Sequence, residues 1–143
     1  MSNNDYYKIA CNDLLYMQAT LHLPFYNQIV VNAQQITEKM LKSIVERVCV
    51  DPFKLLASHN LRALYLEVHK EDPDFLLDKG GLSMLKDFYY DAKYPGDNYV
   101  DVDEESCVEC LEIMYDAIEM VHTKRREWGL DVMEVEHLFI STR

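Results

Sequence analysis

The chain has 143 residues, a length that fits one domain large enough to bury a hydrophobic core. Hydrophobic residues make up 49% of it, and the presence of only four Gly and four Pro favours helices over a sandwich or barrel, because few turns can be built. The formal net charge of −11 argues against an autonomous nucleic-acid binder and favours a basic partner surface. No apolar stretch is long enough to cross a membrane and the polar N-terminus is unlike a signal peptide, so we expect a cytoplasmic protein.

The first two helices are predicted from apolar residues that recur at spacings of three and four. The first helix should run from about Asn4 to Leu21, until Leu23-Pro24 interrupts it. The second should run from Pro24 to about Val48. Its buried face should carry Ile29, Ala33, Ile36, Met40 and Ile44.

The middle of the chain predicts shorter helices. Asp51-Pro52 should start a helical turn that runs through Leu56, and Ser58 should cap a third helix that ends near Glu71. A short helical turn is then expected at residues 75–77, closed by residues 79–81. A fourth helix should follow from about Leu82 to Ala92.

The last predicted helix follows a turn or loop at residues 94–98. It should begin at Asp103, where acidic residues complement the helix dipole, and close at Lys124-Arg125-Arg126. Residues 127–143 contain several apolar side chains and should form an appendage. It packs either on the bundle or on a neighbouring subunit, and the sequence leaves both arrangements open.

The four cysteines are expected to be reduced thiols. Cys107 and Cys110 form a C-x2-C, but no second pair or nearby histidine completes a zinc site, and both fall on one face of a predicted helix. Core packing is therefore favoured over metal or redox chemistry. We expect no metal site and no cofactor.

Four sequence elements in this order resemble the HEPN family. They are the first helix "DYYKIACNDLLYMQATL", the Ala33–Lys42 run close to the pattern A-Q-Q-A-x-E-K-x-L-K, the helix start "SHNLRALYLEV", and "YYDAKYPGDNY", which is similar to an R-Y-P element. The resemblance covers roughly residues 5–122. It implies an all-α, up-and-down bundle of about five helices that often dimerises, with residues 1–126 as the HEPN-like domain and 127–143 as the appendage.

The resemblance also implies three kinds of function. Some members bind nucleotides, some are partners of minimal nucleotidyltransferases in toxin–antitoxin pairs, and some are metal-independent ribonucleases. The ribonucleases use an Arg and a His separated by four to six residues and contributed by two subunits. Arg62 and His69 have that spacing here, although Ala63 follows the arginine where active members carry a polar residue. The R-Y-P arginine is replaced by Lys93, which keeps the charge and loses the bidentate geometry.

A nucleotide site is the other candidate. The resemblance would place His59, Lys93 and Tyr94 beside a nucleotide phosphate at a helix N-terminus, with Gln35 and Lys39 lining a groove or a dimer interface. The simpler interpretation is that His59 caps or packs the third helix and that the others are solvated.

We therefore expect a non-catalytic, homodimeric HEPN module that binds a nucleotide or a partner protein, such as the nucleotidyltransferase of a toxin–antitoxin-like system. One alternative is a ribonuclease toxin that uses Arg62 and His69, and only then would RNA be a partner. The other is a structural interaction domain whose hydrophobic tail is the contact surface.

Overall fold

The computed structural model describes residues 5–96 and 99–140. Across these two ranges the chain forms six α-helices and no strand, which confirms the all-helical bundle. The helices are α1 (Tyr6–Ala19), α2 (Tyr26–Val48), α3 (Phe53–Leu56), α4 (Leu61–Glu71), α5 (Lys79–Lys93) and α6 (Glu104–Glu127). Because α3 is a single turn, five helices build the bundle, as the sequence predicts.

Helix α2 is the centre of the fold. It contacts all five other helices. Its predicted stripe, from Ile29 to Ile44, is buried, and Val30, Leu41 and Val45 on its other sides are buried as well. A helix that is apolar on several sides must be surrounded, so the composition of α2 dictates its central position. Among the described residues, no helix is long and apolar enough to span a membrane.

Side-chain caps set the start of four helices. In each case a carboxylate or amide oxygen accepts a hydrogen bond from a backbone N–H in the first turn, which satisfies an amide that has no partner within the helix. The capping residues are Asp5, Asn60, Asp78 and Asp103. The predicted start at Asp103 is confirmed. The predicted cap at Ser58 is wrong. Asn60 caps α4 by accepting from the Ala63 N–H, and the Ser58 hydroxyl accepts from the Asn60 N–H, which precedes the helix.

The start of α5 also differs from the prediction. Residues 75–77 are not helical, and the glycines expected to close a turn there form the first turn of α5 behind the Asp78 cap. Gly81 explains this placement, since a Cβ there would lie 3.2 Å from the Ile113 side chain of α6. The missing side chain therefore lets α5 approach α6 closely.

The remaining helix ends are close to their predicted positions. Helix α1 ends at Ala19 rather than Leu21, and α2 starts at Tyr26 rather than Pro24. The predicted start at Asn4, and Asp97 and Asn98 of the predicted loop, lie outside the described residues.

The chain leaves α6 through a glycine cap and returns along the bundle. Gly129 has φ +71°, a left-handed conformation, and the N–H groups of Gly129 and Leu130 donate to the carbonyls of Arg126 and Arg125. This pattern closes the helix end. Residues 130–140, which we call the strap, then run in non-helical conformation against α1 and α6. The appendage, as far as the described residues reach, therefore packs on its own bundle.

Candidate functional site

The predicted ribonuclease pair lies on a single helix, α4. Arg62 is in the first turn and exposed, and His69 is in the last turn and half-buried. Seven residues make about two turns, so the pair shares a face and is separated by about 10 Å along the helix axis.

His69 already has a structural role. Its Nδ1 lies 2.9 Å from the carbonyl oxygen of Phe75, and its ring stacks on Tyr65 with centroids 5.6 Å apart. A carbonyl can only accept, so Nδ1 carries the hydrogen and donates it. Because Phe75 is fully buried, this bond holds the segment after α4 against the bundle.

His59 joins α4 to the central helix. Its Nδ1 lies 3.1 and 3.2 Å from the two oxygens of the Glu38 carboxylate on α2. Glu38 also accepts from Lys42 Nζ at 3.1 Å and from Gln34 Nε2 at 3.3 Å. The Glu38 and Lys42 side chains are only 12% and 6% exposed, so a buried carboxylate is held by three donors while the His59 ring stays largely in solvent.

Gln35 and Lys39 lie on the narrow strip of α2 that remains partly exposed. Lys39 forms an ion pair with Asp13 of α1, at the seam between the two helices. Further along this seam is a hollow of about 320 Å³. We call its lining the α1–α2 face, formed by Tyr16, Thr20, Leu23, Phe25, Gln28, Ile29 and Asn32.

Lys93 and Tyr94 lie at the end of α5 within a group of aromatic rings. Lys93 Nζ contacts the Tyr89 hydroxyl at 2.8 Å and lies 4.9 and 5.4 Å from the ring centroids of Tyr89 and Tyr94. The hydrogen bond to Tyr89 raises the pKa of Lys93 above its ordinary value. Tyr90 stacks on Tyr94 with centroids 6.0 Å apart. A lysine among exposed rings can bind an aromatic or anionic ligand.

The structure does not bring His59 and Lys93 into one cleft. Asn27, in the first turn of α2, donates to the carbonyl oxygens of Ala92 and Val100. These bonds fix the end of α5 beside the first turn of α2. His59 is fixed eleven residues further along α2, at Glu38. At 1.5 Å per residue the two positions are about 16 Å apart along the axis. Asn27 was not singled out from the sequence, because nothing distinguishes it from a solvated amide.

A second group that the sequence did not reveal holds the strap. Tyr7 and Gln18 of α1, and Tyr115 and Arg125 of α6, each form a hydrogen bond with a backbone atom of residues 131–138. Burial raises the pKa of Tyr7 to about 12, so its hydroxyl stays protonated. The same hydroxyl lies 2.9 Å from Nε2 of His122, and burial lowers the pKa of that histidine.

The comparison with protein families identifies this arrangement of helices. The family model described as HEPN domain matches residues 4–126. The chain belongs to the HEPN family. Comparisons with curated proteins and with solved structures gave no match. The strap lies beyond the last residue that the HEPN model matches.

In this HEPN domain the Ala33–Lys42 run is mainly structural. Gln34, Glu38 and Lys42 are buried in the cluster that fixes α4, and Thr37 is buried with its hydroxyl bonded to the Ala33 carbonyl. A polar residue at these positions is satisfied inside the protein. The two partly exposed members of the run, Gln35 and Lys39, remain available to a ligand or a partner.

A second hollow of the HEPN domain is acidic. It has a volume of about 450 Å³ between the segment before α5 and α6, and three of its lining residues are carboxylates, namely Asp78, Asp116 and Glu119. With no Lys or Arg in its lining, it would repel a phosphate.

The cysteines of the HEPN domain offer no metal centre. Cys107 and Cys110 lie in the hydrophobic core, where burial raises the pKa of each thiol to about 12. In the ranges 5–96 and 99–140, no group of three or more His, Cys, Asp or Glu side chains is arranged to hold a metal ion.

Proposed function

We propose that this HEPN domain is a non-catalytic, homodimeric module that binds a partner protein, and that its homodimer contact is the α1–α2 face. The observation that carries the proposal is the exposure of large rings around the hollow. Tyr16 and Phe25 are 66% and 61% exposed, with Leu23 beside them. Exposed aromatic residues around a concave surface are typical of protein contacts.

The chemistry of the face suits a contact between two copies. In a twofold dimer the same patch meets itself, so it must be self-complementary. Apolar rings and uncharged amides satisfy this requirement, because neither introduces like-charge repulsion. The α1–α2 face supplies both, with Gln28 and Asn32 next to Tyr16 and Phe25 and no charged residue in its lining.

Several observations favour a module without catalysis over a ribonuclease. His69 donates its Nδ1 hydrogen to a backbone carbonyl and packs on Tyr65, so this histidine has a structural role that needs no catalysis. The net charge of −11 opposes RNA. The same charge favours a partner with a basic surface, and we propose the nucleotidyltransferase of a toxin–antitoxin-like pair as its class.

Nucleotide binding is the second candidate, supported by the aromatic group around Lys93. The stacked Tyr90 and Tyr94 rings could take a base while the Lys93 ammonium meets a phosphate. A ligand that binds only the native state raises the melting temperature. ATP or AMP should therefore raise the melting temperature of the wild type. Lys93→Ala should remove this rise, and Lys86→Ala on the same helix should leave it in place.

The proposed function is tested by the mass of the native protein in solution. Light scattering at micromolar concentration should give twice the mass of one chain. The same preparation should leave a single-stranded RNA intact in the absence of metal. A monomeric mass, or RNA cleavage that Arg62→Ala or His69→Ala abolishes, would overturn the proposal.

A further inference from the structure

The bundle holds the backbone of the strap with hydrogen bonds to four side chains. The Tyr7 hydroxyl accepts from the Met133 N–H at 2.9 Å, and Gln18 Nε2 donates to the Glu136 carbonyl at 2.8 Å. Tyr115 donates to the Leu138 carbonyl, and Arg125 Nε donates to that of Asp131. Every polypeptide presents these backbone groups, so the groove between α1 and α6 can accept other extended sequences.

The side chains of the strap add contacts at alternate positions. Met133 and Val135 pack against the core, the His137 ring stacks on Tyr115 at 4.7 Å, and the Phe139 ring meets Tyr115 edge-on at 5.3 Å. The spacing of two from Met133 to Phe139 is that of a chain with one face inward. The chain also makes a tight turn where the Leu138 N–H donates to the Glu136 carbonyl, and Ile140 packs against the core as well. None of these side chains is fully buried. The strap therefore lies between α1 and α6 as a bound peptide would, with backbone hydrogen bonds and partly buried side chains.

Residues 131–140 of the strap can leave without unravelling α6. The hydrogen bonds of Gly129 and Leu130 to Arg126 and Arg125 close the helix without help from the segment beyond. Gly129, at φ +71°, separates the end of the helix from the strap. Release of residues 131–140 therefore breaks only contacts made by the strap itself.

The contact at His137 indicates which occupant would bind more tightly. Nε2 of His137 lies 3.0 Å from the Glu119 carboxylate, and this becomes an ion pair only when the histidine is protonated. An arginine at that position is always charged, can stack on the Tyr115 ring and can form a bidentate pair with Glu119. The strap itself carries Asp131, Glu134 and Glu136 and no Lys or Arg, on a protein of net charge −11.

We propose that the α1–α6 groove is a binding site for an extended segment of a partner protein, with apolar residues at alternate positions and an arginine where the strap has His137. The incoming segment displaces the strap, which covers the groove in the free protein. This inference names the chemistry of the partner and rests on the proposed role as a partner-binding module. It does not depend on the dimer contact, which uses the α1–α2 face.

The test uses the full chain and labelled peptides. One peptide has the sequence of residues 130–140, a second carries His137→Arg, and a third is a scramble of the second. Fluorescence anisotropy should show saturable binding of the arginine peptide, about tenfold tighter than the unchanged peptide and absent for the scramble. Because the resident strap competes at an effective concentration on the order of millimolar, Phe139→Ala in the protein should tighten the binding severalfold.

Two protein variants locate the binding. Glu119→Gln removes the carboxylate that the arginine would meet, so it should abolish the roughly tenfold preference for the arginine peptide over the unchanged peptide, a ratio that does not depend on how tightly the resident strap binds. Glu112→Gln, an exposed carboxylate on the same helix, is the matched control and should leave this preference unchanged. Equal binding of the scramble, equal binding of the unchanged peptide, or a preference that survives Glu119→Gln would overturn the inference. If peptide binding fails while the dimer mass persists, only this inference is lost.

Discussion

His69 donates its Nδ1 hydrogen to the carbonyl oxygen of Phe75 across 2.9 Å, which links the last turn of α4 to the buried ring that follows it. This bond gives a structural reason for a histidine at a position where the ribonucleases of the family would place a catalytic one. The two roles predict different consequences of replacing it.

Removal of His69 should lower stability rather than an activity. His69→Ala loses the hydrogen bond and the stacking on Tyr65, and should reduce the free energy of unfolding by about 1 to 2 kcal/mol. Arg62→Ala, an exposed change on the same helix, should stay within about 0.5 kcal/mol. Urea unfolding of both variants provides the comparison. A destabilised Arg62→Ala beside an unchanged His69→Ala would contradict this role.

The buried cluster around Glu38 predicts a large difference between two neighbouring lysines. Lys42→Met leaves a buried carboxylate without its cation and should cost about 3 kcal/mol, whereas Lys39→Met breaks a more exposed pair with Asp13 and should cost less than about 1 kcal/mol. Chemical denaturation measures both variants. Equal losses would show that the Glu38–Lys42 pair is no more important than a surface ion pair.

The buried His122 predicts a loss of stability on mild acidification. Burial lowers its pKa in the folded state, so the unfolded chain binds the proton more readily. The free energy of unfolding should therefore be constant above the unfolded pKa of about 6.5 and fall as the pH drops below it. The charged groups that face the ring are Glu119, Glu134, Arg125 and Arg126.

Melting temperatures between pH 7.5 and 5.5, a range of about two units around the ordinary histidine pKa, check this dependence. His122→Gln should flatten the profile, while His22→Gln, at an exposed position, should leave its slope unchanged. If the melting temperature fell more steeply with decreasing pH in His122→Gln than in the wild type, a lowered pKa of His122 would be contradicted.

The helices were predictable because each is encoded locally. The stripe from Ile29 to Ile44 identifies α2, and Asp103 with the acidic residues after it identifies the start of α6. The sequence places the start of α5 at Leu82, three residues after its true start, because adjacent glycines are typical of a turn. The reason for Gly81, its close approach to Ile113, lies in another helix. That contact is tertiary and has no local sequence signal.

The candidate site was less predictable for the same reason. The distance between His59 and Lys93 depends on where α4 and α5 contact α2 along its length. Glu38 fixes His59 at one point of α2, and Asn27 fixes the end of α5 at another. The strap was read only as an appendage. Its inward residues alternate in a short segment with no fully buried side chain, so the pattern carries little information without the groove.

If two copies of this HEPN domain meet through the α1–α2 face, a charge placed in that face should separate them. Phe25→Asp places a charge in the contact. It should not disturb the fold, because residue 25 is the N-cap of α2, a position that aspartate favours. Phe53→Asp, at a phenylalanine that is 83% exposed on α3, is the matched control.

Light scattering of both variants should give the mass of one chain for Phe25→Asp and twice that mass for Phe53→Asp, with unchanged helical circular dichroism in each. A dimeric Phe25→Asp, or a monomeric Phe53→Asp, would contradict the α1–α2 face as the contact.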